Sequence, residues 1–247
     1  MAYYDDTHLR RLREIEDLKK GCRVPVSFLK KQITSNAADK AVALPDFSKA
    51  ATTPKEKQKR REEIIRKAIE VFSTKGYHGV KIVDITGALK ISTGTFYLYF
   101  QDKRELFIEV IDHVFRNIVG EAAIAIKGEE DFVERMKIRG RVFYKNYTRY
   151  SEILNQLRAE MASEERWPAD KIKKIYHGLT QPLIREIEAA ANEGIIRKVD
   201  ADLLGYSLTG LIEIMSLRLS LDKKYNLDDV IEFLSDLIVD SFLKSRG

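Results

Sequence analysis

The chain has 247 residues and a formal net charge of +5 at pH 7, with 44% hydrophobic and 33% charged residues. This is the balance of a soluble globular protein large enough to bury a core unaided. The single cysteine, Cys22, excludes an intrachain disulfide and a thiolate zinc cluster, and the absence of long apolar runs or a secretory signal predicts a cytoplasmic protein without membrane contact.

Positive charge is concentrated in the front half of the chain. Residues 1–110 contain 22 Lys and Arg against 15 Asp and Glu, whereas residues 111–247 contain 21 against 23. This asymmetry suggests a polyanion-binding region joined to a near-neutral body, although many basic runs are only solvated faces.

Residues 7–34 are predicted to form one or two short helices, because a leucine or isoleucine recurs every third residue from Leu9 to Leu18. Residues 35–53 lose this period and are predicted to be a linker. The next helix has a clear start, in which Thr53 can act as the cap and Pro54 suits the first helical position.

A helix-turn-helix is predicted at residues 82–100. Two short helices, the first over residues 82–89, flank a tight bend at Lys90, and Ser92 can cap the second one. Asp102 can cap the long helix that follows, which we expect to continue to about residue 127.

Five more helices are predicted near residues 129–147, 149–163, 168–193, 200–221 and 227–245. Gly194 is a natural helix end, Asp200 and Asn226 are natural caps, and Pro182 should kink its helix because it lacks an N–H.

The predicted fold class is therefore all-α, with an N-terminal helix-turn-helix three-helix DNA-binding head on a larger helical domain. The expected parts are a helical extension and linker (1–52), a helix-turn-helix DNA-binding domain (53–108) and the larger helical domain (109–247).

The residues expected to contact DNA surround the second short helix. Small hydroxyl side chains near its start can contact base edges, and Gly94 lets the backbone approach the groove closely. The neighbouring tyrosines and lysines can contact phosphate oxygens. This DNA-binding set is Lys81, Ser92, Thr93, Gly94, Thr95, Tyr97, Tyr99 and Lys103.

Residues 61–107 resemble the DNA-binding domain of the TetR (tetracycline-repressor-like) family, through IIRKAIEVFSTKGY, DIT and STGTFYLYFQDKRELF. The resemblance implies a transcriptional regulator, a repressor rather than an activator, that binds a pseudo-palindromic operator in double-stranded DNA as a homodimer. It also implies that residues 109–247 form an effector-binding and dimerisation domain, in which a small-molecule effector changes the affinity for the operator. Lys90 departs from the family pattern, since glycine is common at this bend.

Aromatic and polarizable residues are dense between residues 143 and 183, where they could line a pocket for a hydrophobic acyl or aromatic effector. An ordinary bundle core would use the same residue types. The candidate pocket set is Phe143, Tyr147, Met161, Trp167, Tyr176 and His177. We expect neither a cofactor nor a metal.

Two apolar stripes on the last two helices suggest a dimer interface, because one body needs to cover only one of them. The alternative is that both belong to the intramolecular core. The two stripes are Leu204, Leu208, Leu211 and Met215, and Ile231, Leu234, Ile238 and Phe242.

The first 35 residues resemble the second half of a MerR-type DNA-binding domain without the half that reads bases, so no base-reading residues are assigned to them. Three roles are open for this segment: its basic residues could add phosphate contacts, it could cover the head, or it could be an evolutionary remnant.

Two other function classes fit the sequence less well. An enzyme is not expected, because the four histidines are scattered and no HExxH, GxSxG or phosphate-loop motif is present. A membrane-surface protein using the basic front end would bind liposomes more strongly than DNA.

Overall fold

The computed structural model describes Phe47, residues 53–161 and residues 168–243, all of them within one compact unit, Pro45–Gly247. The predictions for the rest of the front extension, for Trp167 and for the side chain of Met161 lie outside the described residues. Within the described ranges there is no β-strand, only one isolated antiparallel bridge between Ile196 and Leu243. No helix in these ranges has the length and apolar character needed to cross a membrane.

The described residues form nine helices, which confirms the all-α prediction. They are α1 (Pro54–Gly79), α2 (Ile82–Leu89), α3 (Thr93–Tyr97), α4 (Lys103–Ala125), α5 (Phe132–Arg149), α6 (Ser151–Met161), α7 (Ala169–Asn192), α8 (Ala201–Leu221) and α9 (Leu227–Phe242).

The predicted helix starts are confirmed by their hydrogen bonds. Thr53 Oγ1 accepts from the Glu56 N–H at 3.2 Å, and the Glu56 carboxylate accepts from the Thr53 N–H at 3.1 Å, which together form a capping box. The carboxylates or amide of Asp102, Asp200 and Asn226 accept backbone N–H groups at the starts of α4, α8 and α9. These local contacts fix where the long helices begin.

Three described glycines, Gly76, Gly128 and Gly194, adopt positive φ angles where helices bend or end. Gly76 has φ 67° and ψ 163°, so it interrupts α1 before a final turn that ends at Gly79. Gly194 has φ 76° and directly follows Glu193, the C-cap of α7, so the predicted helix end at this glycine is confirmed. α7 itself continues as one helix past Pro182.

One hydrophobic core joins the helix-turn-helix to the body of the molecule. Phe72 of α1 packs edge-on against Phe107 of α4, with ring centroids 5.2 Å apart, and Tyr77 lies 4.7 Å from the same ring. Ile153 and Leu157 of α6 complete this core from the body. The domain boundary expected after residue 108 therefore falls inside α4, which serves both regions.

Candidate DNA interface and ligand cavity

The bend between α2 and α3 is centred on Lys90, which has φ 56° and ψ 41°. Its N–H bonds to the Gly87 carbonyl at 3.1 Å, and the Ile91 N–H bonds to the Thr86 carbonyl at 3.0 Å. A residue with a Cβ costs about 1–2 kcal/mol in this left-handed region. The tight bend predicted here is confirmed, and a lysine adopts the conformation that glycine accepts more easily.

Hydrogen bonds to Asp84 hold α2 against α1. Its carboxylate accepts from Lys75 Nζ at 2.6 Å and from the Lys81 N–H at 2.8 Å. The hydrogen bond from Lys75, followed by the bond from the Lys81 backbone, keeps the pKa of Asp84 below its usual range. The Lys81 side chain is exposed at the start of α2.

α3 is fixed by a cap and by two buried rings. Ser92 Oγ accepts from the Thr95 N–H at 3.0 Å and lies 2.9 Å from Thr95 Oγ1. Phe96 and Phe100 are 0% and 1% exposed, with ring centroids 5.6 Å apart. The predicted cap at Ser92 is confirmed, and its hydroxyl is already engaged within the protein.

The opposite side of α3 faces solvent. Thr93 and Gly94 are exposed, Thr95 is partly buried, and Tyr97 and Leu98 are 54% and 81% exposed. We call these five residues the reading surface. Helical spacing predicts the outward position of Leu98, although the expected DNA-binding set does not include this residue.

Gly94 is not required by the fold of the protein itself. Its φ lies outside the positive region, and a Cβ built on it would meet only Ser92 Oγ, at an ordinary contact distance of 3.7 Å. A side chain at this position would therefore project from the reading surface into open space. The space that Gly94 leaves is on the solvent side of α3, where a binding partner can approach the backbone.

Two members of the expected DNA-binding set are turned into the protein. Lys103 Nζ donates to the carbonyls of Tyr77 at 2.8 Å and Val80 at 2.9 Å, and it lies 4.3 Å from the Tyr77 ring centroid. Burial lowers the pKa of Lys103. Tyr99 is partly buried against the core. Lys103 thus ties the start of α4 to the end of α1, where backbone carbonyls have acceptor capacity to spare.

A cavity lies in the body between α4, α5, α7, α8 and α9. Its volume is about 110 Å³, or about 820 Å³ with the space at its open mouth. Phe143 is its one aromatic lining residue, and aliphatic side chains form most of the wall, whereas Lys137 and Arg139 bring positive charge to it. In the described part of the chain no cluster of His, Cys, Asp and Glu could hold a metal ion.

The structure does not bring the expected pocket set together at this cavity. Phe143 lines it. Tyr147 is 1% exposed in the core, where its hydroxyl accepts from Arg158 Nη1 at 3.2 Å. Tyr176 packs edge-on against a core ring, and burial raises its pKa to about 12. His177 is exposed. The aromatic residues mostly fill the core, and the empty space lies among aliphatic residues and one glycine.

The apolar stripes expected at a dimer interface face the inside of the body. Leu204 and Leu208 pack against a second core cluster, Ile231 and Ile238 are buried, and Leu234 lines the cavity. The remaining three, Leu211, Met215 and Phe242, are partly buried.

The opposite sides of α8 and α9 carry a second set of large apolar residues, which are exposed. We call this set the outer apolar face; it consists of Leu203, Tyr206, Ile214 and Leu221 on α8 and Phe233 and Leu237 on α9. The sequence signal for it is present, since Leu203, Tyr206 and Ile214 follow helical spacing. Because α8 is apolar on both sides, spacing alone does not tell which stripe faces the core.

Comparison with known proteins finds a family similarity for the helix-turn-helix region. A family model described as bacterial regulatory proteins, tetR family, matches residues 64–110. The chain is 26% identical over 204 residues to the HTH-type transcriptional regulator HbdR of Aromatoleum sp. (strain CIB), covering 79% of this chain and 86% of that protein. It is 24% identical over 192 residues to the fatty acid metabolism regulator protein of Bacillus subtilis (strain 168), covering 75% and 96%.

A solved structure extends the similarity beyond the helix-turn-helix. The transcriptional regulator FadR from Bacillus subtilis in complex with stearoyl-CoA superposes with a TM-score of 0.62 at 21% identity. The match covers 72% of this chain and 97% of that one. The head and the body therefore share the fold of that protein.

Proposed function

We propose that this chain is a ligand-modulated, DNA-binding transcriptional regulator of the TetR family, and that α3 is the helix that enters the major groove of its operator. A recognition helix contacts base edges with its first residues, here Thr93, Gly94 and Thr95. Tyr97 can donate its hydroxyl to a phosphate, and Leu98 can contact a thymine methyl group. The observation that carries this proposal is the exposed reading surface on a helix anchored by buried rings.

Gly94→Ala tests this proposal without disturbing the fold. Alanine favours the helix by about 1 kcal/mol over glycine, so the variant should melt at or above the wild-type temperature. The added methyl would stand between α3 and the groove. We expect affinity for an operator selected from random duplexes to fall about 10-fold or more, measured by gel-shift titration.

Gly120→Ala is the matched control. Gly120 is exposed on α4, and a Cβ there meets nothing within 4 Å, as open a position as that of Gly94. This variant should bind the selected operator like the wild type. Equal operator affinity in both variants would contradict the assignment of α3 as the recognition helix.

We further propose that two copies pair through the outer apolar face. Gly210 is exposed among these residues on α8 and has nothing within 4 Å, so a partner helix can approach closely there. A twofold dimer presents two recognition helices to two half-sites, which matches a pseudo-palindromic operator. Repression rather than activation is the proposed outcome of operator binding.

For the effector, we propose a hydrophobic molecule bound in the cavity. The aliphatic wall favours a hydrocarbon chain over an aromatic ring. A Bacillus subtilis relative is named as a regulator of fatty acid metabolism, and FadR from that organism was solved with stearoyl-CoA. Both support an acyl chain as the part of the ligand that enters the cavity.

The size of the cavity explains how ligand binding would change the affinity for DNA. At about 110 Å³ it is smaller than the roughly 150 Å³ that admits benzene. A hydrocarbon chain that enters this space completely must therefore push the surrounding helices apart. One of them is α4, whose Ile118 and Ala122 line the cavity while its Leu106 and Phe107 lie in the core of the head. Displacing α4 would shift the two heads of a dimer and so change operator affinity.

Gly140→Leu tests the cavity. A Cβ on Gly140 would lie 2.6 Å from Ile231 Cδ1 and 3.7 Å from Ile212 Cδ1, so a leucine side chain must occupy the cavity. We expect the affinity for decanoate and for 1-decanol, measured by calorimetry, to fall about 10-fold or more. A cooperative thermal melt of the variant checks that the loss of affinity is not a loss of folded protein.

The control is Gly120→Leu, which adds the same side chain to an exposed position of α4. It should bind both amphiphiles like the wild type. If Gly140→Leu retains full affinity for them, the cavity is not the ligand site.

A further inference from the structure

Two arginines share one carboxylate beside the cavity. Arg139 of α5 donates to Glu186 Oε2 of α7 from Nε at 3.0 Å and from Nη2 at 2.5 Å. Arg135, one turn earlier on α5, donates from Nε to Glu186 Oε1. All three side chains are shielded from water, since Arg135, Arg139 and Glu186 are 21%, 18% and 11% exposed.

The two arginines are held differently. Arg135 Nη1 also donates to the carbonyls of Glu129 at 3.2 Å and Glu130 at 2.7 Å, so this side chain is fixed from two directions. Arg139 bonds only to Glu186 among the residues that the structure describes, which leaves its Nη1 without an acceptor there. Arg139 lines the cavity, whereas Arg135 does not.

The other lining cation is already neutralised. Lys137 Nζ lies 3.1 Å from Glu134 Oε1 and 3.7 Å from Glu232 Oε2. The uncompensated positive charge at the cavity is therefore on the Arg135–Arg139 pair. A guanidinium shielded from water is stabilised by each further anion that it can bind, and its planar donors suit carboxylate and phosphate groups.

We propose that the effector is an amphipathic anion whose hydrocarbon chain fills the cavity and whose carboxylate or phosphate binds Arg139. This inference rests on the proposed function of the cavity. Glu186 then acts as a built-in competitor, since it occupies two of the donors that the anion would use. An arriving anion takes Arg139, and Glu186 keeps its bond to Arg135.

Because Glu186 and the anion compete for Arg139, replacing Arg139 and replacing Glu186 should change anion binding in opposite directions. Arg139→Gln removes the anion's donor, so it should weaken decanoate binding about 10- to 100-fold, the value of a charge-assisted hydrogen bond. Glu186→Gln removes the competitor, so it should strengthen decanoate binding. A purely structural ion pair would weaken binding from either side, through loss of folded protein.

Calorimetric titrations of the full-length protein with decanoate, decyl phosphate and 1-decanol test this inference. We expect Arg139→Gln to leave 1-decanol binding unchanged, because the alcohol has no charge to lose. The stronger of the two anions identifies the head group. Arg141→Gln is the matched control, since Arg141 is a cation of α5 that pairs with Asp228 and does not line the cavity. It should bind all three amphiphiles like the wild type.

Two results would overturn the inference in distinguishable ways. If Arg139→Gln weakens decanoate and 1-decanol equally, or Glu186→Gln weakens decanoate, the anion site is wrong. The cavity proposal survives that result if Gly140→Leu still blocks 1-decanol. If the wild type binds none of the three amphiphiles, the cavity proposal and the anion site fail together.

Discussion

Replacing Leu203 and Phe233 together with glutamate should convert the proposed dimer into a folded monomer. The two side chains are 67% and 63% exposed on α8 and α9, so neither supports the core of its own body. Burial of each side chain at an interface contributes about 1.5–3 kcal/mol to the free energy of association. Because a twofold dimer contains two copies of each residue, each loss occurs twice. We expect the dimer dissociation constant to rise about 10⁴-fold or more, measured by light scattering over a concentration series.

Ile124→Glu serves as the control for this pair. Ile124 is 72% exposed near the end of α4, outside the outer apolar face. The variant should remain dimeric and should melt like the wild type. A Leu203→Glu, Phe233→Glu protein that is still dimeric would show that the outer apolar face is not the interface.

Phe96→Ala should destabilise the protein by about 3–5 kcal/mol, because it empties a fully buried site in the head. The ring lies 5.4 Å from that of Tyr97 and 5.6 Å from that of Phe100, so both neighbours lose a packing partner. For a chain of this size the melting temperature should fall by on the order of 10 °C. Operator binding should weaken as well, since α3 is anchored through this ring.

Leu98→Ala provides the comparison within the same turn of chain. Leu98 is 81% exposed, so its truncation should change stability by no more than about 0.5 kcal/mol. Thermal melts of both variants and the wild type distinguish a side chain that anchors α3 from one that only lies on its surface. If Phe96→Ala melts with the wild type, packing of this ring is not what holds α3 in place.

Local chemistry explains why much of the fold could be predicted from the sequence. The capping box at Thr53 and the capping residue Asp102 act within one turn of chain, so short motifs suffice to locate α1 and α4. The bend at Lys90 was expected from the two short apolar periods on either side of it. Helix starts and turns depend on neighbours three or four residues away, which the sequence displays directly.

The features that could not be predicted depend on contacts between distant helices. Lys103 had the position of a phosphate ligand, but the carbonyls of Tyr77 and Val80, more than twenty residues earlier, hold its ammonium group. Gly140 of α5 lines the cavity, and Ile231 of α9 lies close to it. This approach of two distant helices is not visible in the sequence. The same limit applies to α8, whose two apolar sides are equivalent until the body is assembled.

The single helix α4 connects the recognition head to the cavity, and this restricts how such a protein can change in evolution. Its 23 residues span about 35 Å without interruption. One inserted residue between Phe107 and Ile118 would rotate the cavity end by about 100° relative to the head. Ile118 and Ala122 would then leave the space that they line. A new ligand preference can therefore arise through replacements at these positions, whereas an insertion or deletion between the two ends would disrupt the cavity.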